Sequence, residues 1–256
     1  MRQAMRVPAV AWAPALVAVA ALAGCDVGHE AVGEHESVVE TRRLDTEGAF
    51  TLENTNGEVV VGTWKEASVK IEAQKVGSRW ALENTKIQVR GEGDRVSVQT
   101  RQPGGWFFVG GSKVDYRVTV PERARLEVRT TNGRVRIEGS AGPVHASTTN
   151  GSVEVEDATG AVEASTTNGS VRAAFHEAPA EGSTRLSTTN GMVTVLLPAD
   201  ATGEFEASAV NGSIHTDFPL EIRGGLVGRR LSGRLGEGRA RFEMRTVNGG
   251  VGIRKR

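Results

Sequence analysis

Ala146-Ser-Thr-Thr-Asn-Gly-Ser-Val153 recurs unchanged as Ala164-Ser-Thr-Thr-Asn-Gly-Ser-Val171, eighteen residues further on. The same octet stands in varied form at Leu52–Val59, Val128–Val135, Leu186–Val193, Ala207–Ile214 and Met244–Val251. Seven of the nine asparagines in the chain therefore precede glycine: Asn56-Gly57, Asn132-Gly133, Asn150-Gly151, Asn168-Gly169, Asn190-Gly191, Asn211-Gly212 and Asn248-Gly249. A unit repeated this often sets the architecture before any single residue does.

Aligning the units on asparagine gives a register. Six residues before it stand Phe50, Leu126, Val144, Val162, Thr184, Phe205 and Phe242, and four before it Leu52, Val128, Ala146, Ala164, Leu186, Ala207 and Met244. Three residues after it stand Val59, Val135, Val153, Val171, Val193, Ile214 and Val251. The positions between are polar: three before the asparagine come Glu53, Arg129, Ser147, Ser165, Ser187, Ser208 and Arg245. Apolar residues alternating at period two on both sides predict two short strands per unit, each with one buried face. Asn-Gly is then the turn between them, because both residues tolerate the left-handed backbone that a tight turn uses.

Two architectures fit that register. In a β-solenoid each unit is one coil stacked on the last, and equivalent asparagines align as a hydrogen-bonded ladder. In the rival, each Asn-Gly is the type I′ turn of a hairpin, and serial hairpins make an antiparallel meander or sandwich. The near-identical 18-residue units favour the solenoid. Between Val69 and Val120 the unit is absent, yet alternating runs at Val69–Ala73, Ile87–Arg90, Val96–Val98 and Tyr116–Val120 predict further strands of the same all-β fold, with a short helical turn within 76–85.

The N-terminus reads as an address. Met1–Arg6 is basic, Val7–Ala21 is apolar but shorter than a membrane span, and the run closes on Leu22-Ala-Gly-Cys25. This resembles the lipobox of bacterial lipoproteins, which implies a signal peptide over 1–24 and a lipid on Cys25, the chain's one cysteine. The polar, acidic stretch 25–37 reads as a flexible tether, and 38–256 as a single elongated β-repeat domain.

The tandem Thr-Thr-Asn-Gly units, with Gly233-Arg-Leu-Gly-Glu-Gly238 before the last of them, resemble the bacterial adhesin family of uncharacterised β-repeat envelope domains. The resemblance spans about residues 38–253. It implies a β-helical repeat fold in the cell envelope and offers no catalytic residue to carry over, and some members' links to envelope stress keep a regulatory role open.

Composition agrees with a non-catalytic reading. With 31 basic and 31 acidic residues there is no cationic excess for nucleic acid. A single cysteine excludes an intrachain disulfide and a cysteine zinc cluster. The Gly-x-Ser-x-Gly nucleophile elbow and the phosphate-cradling Gly-x-x-x-x-Gly-Lys loop are missing from the sequence. His29 and His35 lack the His-Glu-x-x-His spacing, and His145, His176 and His215 fall at different repeat positions. No cofactor or metal is expected, and acids such as Glu154, Glu156 and Asp157 read as solvated.

Two stretches stand out as candidate surfaces. Trp106-Phe107-Phe108 lies between glycine pairs and reads either as a contact loop or as a cap on the solenoid end. The glycine-rich run Arg223–Arg234, with Arg229 and Arg230, reads as a solvated loop. The expected function is that of a lipid-anchored envelope protein with an adhesin-like binding or structural role toward a protein or polysaccharide. The alternatives are a periplasmic accessory or sensor scaffold in envelope stress and, more remotely, a polysaccharide-acting enzyme.

Overall fold

The structure is a computed structural model, described here for residues 34–102, 112–224 and 228–256. Cys25, the signal segment and Trp106-Phe107-Phe108 lie outside these residues. The chain forms a succession of short strands in two stacks. The first stack contains β1 (Glu34–Glu53) by its C-terminal half, β7 (Arg125–Arg129), β9 (Val144–Asn150), β11 (Val162–Asn168), β13 (Ser183–Asn190), β19 (Arg241–Asn248) and β15 (Gly203–Asn211), all parallel. The second contains β2 (Val59–Trp64), β8 (Val135–Glu138), β10 (Val153–Ala158), β12 (Val171–Phe175), β14 (Val193–Leu197), β20 (Val251–Lys255) and β16 (Ile214–Thr216), again parallel.

The two strands of one unit do not pair with each other. β9 bonds to β7 and β11, and β10 bonds to β8 and β12. The units are therefore coils of a solenoid, and the serial-hairpin alternative is overturned. The register is set by the repeat itself, since Asn168 lies opposite Asn150 on one side and Asn190 on the other. A slip of one residue would turn every valine outward.

The core is the column of inward residues. Val59, Val135, Val153, Val171 and Val193 lie one above another and are fully buried. Burying such a side chain is worth roughly 1.5–3 kcal/mol against leaving it in water. In the column six residues before the asparagine, where Val144 and Val162 stand mid-stack, one end carries Phe242 and Phe205: Phe205 stacks on Phe242 at 4.8 Å between ring centroids, and Phe175 meets Phe242 edge-on at 6.1 Å.

Spatial order differs from chain order at that end. β19 and β20 insert between the Asn190 coil and the Asn211 coil, so the last unit of the sequence fills a place that the chain skips and later returns to. Between these passes the chain makes β17 (Ile222–Gly224) and β18 (Arg229–Leu235), which pair antiparallel with each other and lay β18 along β15. The solvated-loop reading of Arg223–Arg234 is thus corrected. Leu231 is buried, and the hairpin covers the edge that β15 would otherwise leave open.

The opposite end is closed by the segment that lacks the repeat. β5 (Gly93–Arg101) runs parallel beside β1, and β4 (Lys86–Arg90) pairs antiparallel with β5. β6 (Lys113–Pro121) lies beside β2, and β3 (Ser68–Gly77) bridges β6 to the N-terminal half of β1. The expected helical turn is α1 (Arg79–Asn84), where the Ser78 hydroxyl accepts from the Ala81 N–H. Strand β1 starts at Glu34, so the expected tether overlaps it by four residues, Glu34–Ser37, which pair with Gln74–Gly77. The partner strand is some forty residues away, and the buried Lys75 ammonium meets Glu36 at 3.1 Å across that pairing.

Two predictions follow from the packing. Gly169 has φ +151°, and a Cβ there would stand 2.0 Å from the Gly151 carbonyl oxygen of the coil beneath. Gly169→Val is expected to cost more than the roughly 1–3 kcal/mol typical of a strained backbone position, seen as a fall in melting temperature. The chain's one tyrosine, Tyr116, is buried with its hydroxyl 2.6 Å from the Thr100 hydroxyl, and burial raises its pKa from 10.0 to about 12. The folded state thus resists losing this proton, while the unfolded chain loses it near 10. Stability from this group is full below that value and declines as pH rises toward 12. Tyrosinate absorbance and the unfolding midpoint, followed over that window, should move together.

Candidate functional site: the asparagine ladder and the hydroxyl face

Between the two stacks runs a continuous ladder of asparagine side chains. Asn132 Nδ2 donates to Asn56 Oδ1 at 2.7 Å, Asn150 to Asn132 at 2.8 Å, Asn168 to Asn150 at 2.9 Å and Asn190 to Asn168 at 2.9 Å. Beyond the insertion, Asn248 donates to Asn190 at 2.8 Å and Asn211 to Asn248 at 2.9 Å. All these amides point the same way, so each bond polarises the next.

The backbone repeats the pattern. Each Gly N–H donates to the asparagine carbonyl of the next coil, from Gly57 to Asn132 at 2.8 Å through Gly249 to Asn211 at 3.0 Å. No asparagine of the ladder has a positive φ; Gly57, Gly133, Gly151, Gly169, Gly191 and Gly249 do, at +131° to +151°. The expectation that both turn residues use the left-handed region is therefore corrected. Glycine alone makes the turn, and it is required because the next coil's backbone passes where a Cβ would sit. Asparagine is present for its side chain.

Two parts of this device escaped the sequence reading. Threonines two residues before asparagine point inward and donate to the glycine carbonyl of the neighbouring coil: Thr148 to Gly133, Thr166 to Gly151, Thr188 to Gly169 and Thr246 to Gly191, at 2.9–3.1 Å. Thr130, at the same position over the first coil, is buried without a partner among the described residues. The ladder also begins one rung earlier than the repeat. Asn56 Nδ2 donates to Gln102 Oε1 at 3.1 Å, and Gln102 Nε2 donates on to the Ser112 carbonyl at 2.7 Å. Pairing Val96 with Phe50 and Val98 with Leu52 carries Gln102 into line with Asn56.

The outward face of the first stack carries the chemistry open to a partner. Ser147, Ser165 and Ser187 form one column, and Thr131, Thr149, Thr167 and Thr189 another beside the ladder. Strand geometry sets these hydroxyls on a grid of about 4.8 Å between coils and roughly 6.7 Å along a strand. The column beyond is charged: His145 meets Glu163 at 3.3 Å, and Arg185 meets Glu243 at 3.1 Å. The His145–Glu163 pair is exposed and adds little to stability, whereas Glu243 is itself buried and also meets Arg245. At one end of the grid is an open groove of about 390 Å³ lined by Arg125, Glu127, Arg129, His145 and Glu163. At the other is a groove of about 410 Å³ lined by Glu206, Ser208, Arg230, Ser232, Glu243 and Arg245. Near that end the threonine column gives way to Val247 and Val210, 42% and 47% exposed, and Met192, on the other side of the turn, is 53% exposed.

The acids singled out in the sequence are engaged on the other stack. Glu154 faces Arg134 and Arg136 at 3.8 and 3.7 Å, Glu156 pairs with Arg172 at 3.0 Å, and Asp157 pairs with Arg256.

A family model described as Toastrack DUF4097 matches residues 115–254. Among solved structures the chain is similar to a proposed cell adhesion protein from Clostridium sporogenes ATCC 15579, with 12% identity, 85% of this chain and 99% of that one covered, and a TM-score of 0.49. It is also similar to a proposed adhesin from Bacteroides fragilis NCTC 9343, with 11% identity, 85% and 96% covered, and a TM-score of 0.30. No curated protein matches the sequence.

The ladder makes a stability prediction. Asn168→Ala removes both a donor and an acceptor from the middle of the run and leaves Asn150 Oδ1 and Asn190 Nδ2 unpaired. A loss of about 1–3 kcal/mol is expected in denaturant unfolding. Asn168→Asp should be worse than Asn168→Ala at neutral pH, because its carboxylate, although it still accepts from Asn190, sets a charged oxygen against Asn150 Oδ1 where the amide donated, a repulsion that alanine does not bring.

Proposed function

We propose that this chain, which belongs to the Toastrack DUF4097 family, is a lipid-anchored, non-catalytic binding protein of the bacterial envelope, acting as an adhesin does. The observation that carries the reading is the hydroxyl grid on the first stack, held in register by the ladder beside it and flanked by two open grooves. Such a grid offers donors and acceptors at a constant repeat over several coils. An extended, hydroxyl-rich polymer, such as an envelope or surface polysaccharide, meets it with one set of bonds per coil. Because the face is rigid before binding, little ordering entropy is spent on the protein side. The lipobox Leu22–Cys25 supports the anchor: acyl chains on Cys25 contribute about 0.8 kcal/mol per buried CH₂, and more than one chain holds a protein stably to a bilayer.

The exposed Met192, Val210 and Val247 favour a second reading, a periplasmic scaffold for a protein partner in envelope stress.

Three measurements test the proposal. Cys25→Ser is expected to abolish labelling by a fatty-acid probe and to release the protein from the membrane fraction; retained labelling would overturn the anchor. Treatment of intact cells with a non-permeant protease should remove the full-length protein while a periplasmic marker survives; protection until the envelope is opened would replace the adhesin reading with the scaffold. Ser165→Lys with Thr167→Lys should leave the melting temperature within a degree or so, since both side chains point outward, and should abolish co-sedimentation with isolated envelope polysaccharide. Undiminished co-sedimentation would remove the grid from the site.

A further inference from the structure

The seven Asn-Gly pairs are chemically alike and structurally unlike. Asn-Gly is the dipeptide in which a backbone nitrogen most readily attacks a side-chain amide, because glycine puts no Cβ in the way. The reaction needs two freedoms: a glycine N–H that can lose its proton to solvent base, and an asparagine carboxamide that can turn its Cγ toward that nitrogen.

Six of the pairs have neither. The N–H groups of Gly57, Gly133, Gly151, Gly169, Gly191 and Gly249 each donate to the asparagine carbonyl of the next coil at 2.8–3.0 Å. The six carboxamides are fixed at both ends, since each Oδ1 accepts from the next asparagine and each Nδ2 donates to the residue before. The Asn211 coil is the last of the stack. Its Nδ2 donates to Asn248, but among the described residues no further coil donates to its Oδ1 or accepts from Gly212, whose N–H makes no hydrogen bond there. Both residues are exposed.

We infer that Asn211-Gly212 is a self-modification site, at which the folded protein deamidates while the six other pairs are protected by the ladder. The Gly212 nitrogen, its proton passed to solvent, forms a bond to Asn211 Cγ. The Cγ–Nδ2 bond breaks and the nitrogen leaves as ammonia. Water then opens the cyclic imide at either carbonyl, giving aspartate or isoaspartate at 211. No catalyst or redox partner is needed. The product is a carboxylate that has lost the donor to Asn248 Oδ1, so the terminal rung opens and a negative charge appears beside Val210 and Val247. The fold thereby carries a slow clock at one end of its ladder, on the rim of the apolar patch.

The test is peptide mapping by mass spectrometry of the full-length protein aged in mildly alkaline buffer, native and in denaturant. In denaturant all seven pairs should convert at similar rates, which establishes their shared intrinsic chemistry. In the native protein Asn211 should convert at least about tenfold faster than Asn150, Asn168 or Asn190, and Asn211→Gln should abolish the conversion at 211 with the interior sites unchanged. Interior sites converting as fast as Asn211, or Asn211 remaining an amide while the denatured control converts, would overturn the assignment.

Discussion

One close approach governs the molecule. Successive coils pass so near one another at the turn that the carbonyl of one glycine lies about 2 Å from where the next glycine's Cβ would be. Glycine is therefore demanded by the neighbouring coil, at a φ that other residues do not hold cheaply. Once the backbones are this close, the side chain just before the glycine can span the gap, and among short side chains asparagine alone carries both a donor and an acceptor on one rigid plane. The ladder is thus a consequence of the spacing. The inward threonines complete it by satisfying the glycine carbonyls that face the core, where an unpaired acceptor costs about 1–3 kcal/mol.

The same spacing explains what the chain can do out of order. Every Asn-Gly coil offers an inward valine or isoleucine and the same asparagine rung, so the coils can stack in an order other than that of the chain. Chain order then yields to side-chain volume. The Asn248 unit brings Phe242 and Met244, and it comes to rest between the Asn190 coil, which brings Thr184 and Leu186, and the Asn211 coil, which brings Phe205 and Ala207. Phe242 thereby reaches both Phe205 and Phe175. The space held for it is closed by the last part of the chain, which makes the pairing non-local and slow to form in folding terms.

This accounts for what was legible in the sequence. The octet around Asn150 fixes strand, turn and stacking together, because a period of two and a fixed turn leave one register. The inward threonine at 148 was equally repetitive, but a threonine in a strand reads as an ordinary surface residue until the neighbouring carbonyl is placed above it. Gln102 was hidden for a different reason: its coil has no Asn-Gly, and only the pairing of Val96 with Phe50 reveals its position. Arg229 and Arg230 are exposed, but the run that holds them is a strand and not a loop, because an open sheet edge draws a strand from whatever chain is near. The insertion of the final coil could not be read at all, since equivalence between units is what makes the repeat visible and also what erases their order.

Polarity is the last consequence. A ladder of amides all donating in one direction has two chemically distinct ends. At the Gln102 end the run terminates in a donor, and the Ser112 carbonyl accepts it within the fold. At the Asn211 end it terminates in an acceptor, and the capping strand β18 covers β15 but leaves the turn beyond it exposed. The N-terminal segment that closes the first end is long and takes five strands and a helix to do so. The second end is closed by a hairpin on one stack alone. The asymmetry concentrates the exposed turn, the terminal carboxamide, the apolar rim of Val210 and Val247 and one of the two grooves within the same few coils, so whatever this protein meets along its face, it meets differently at that end.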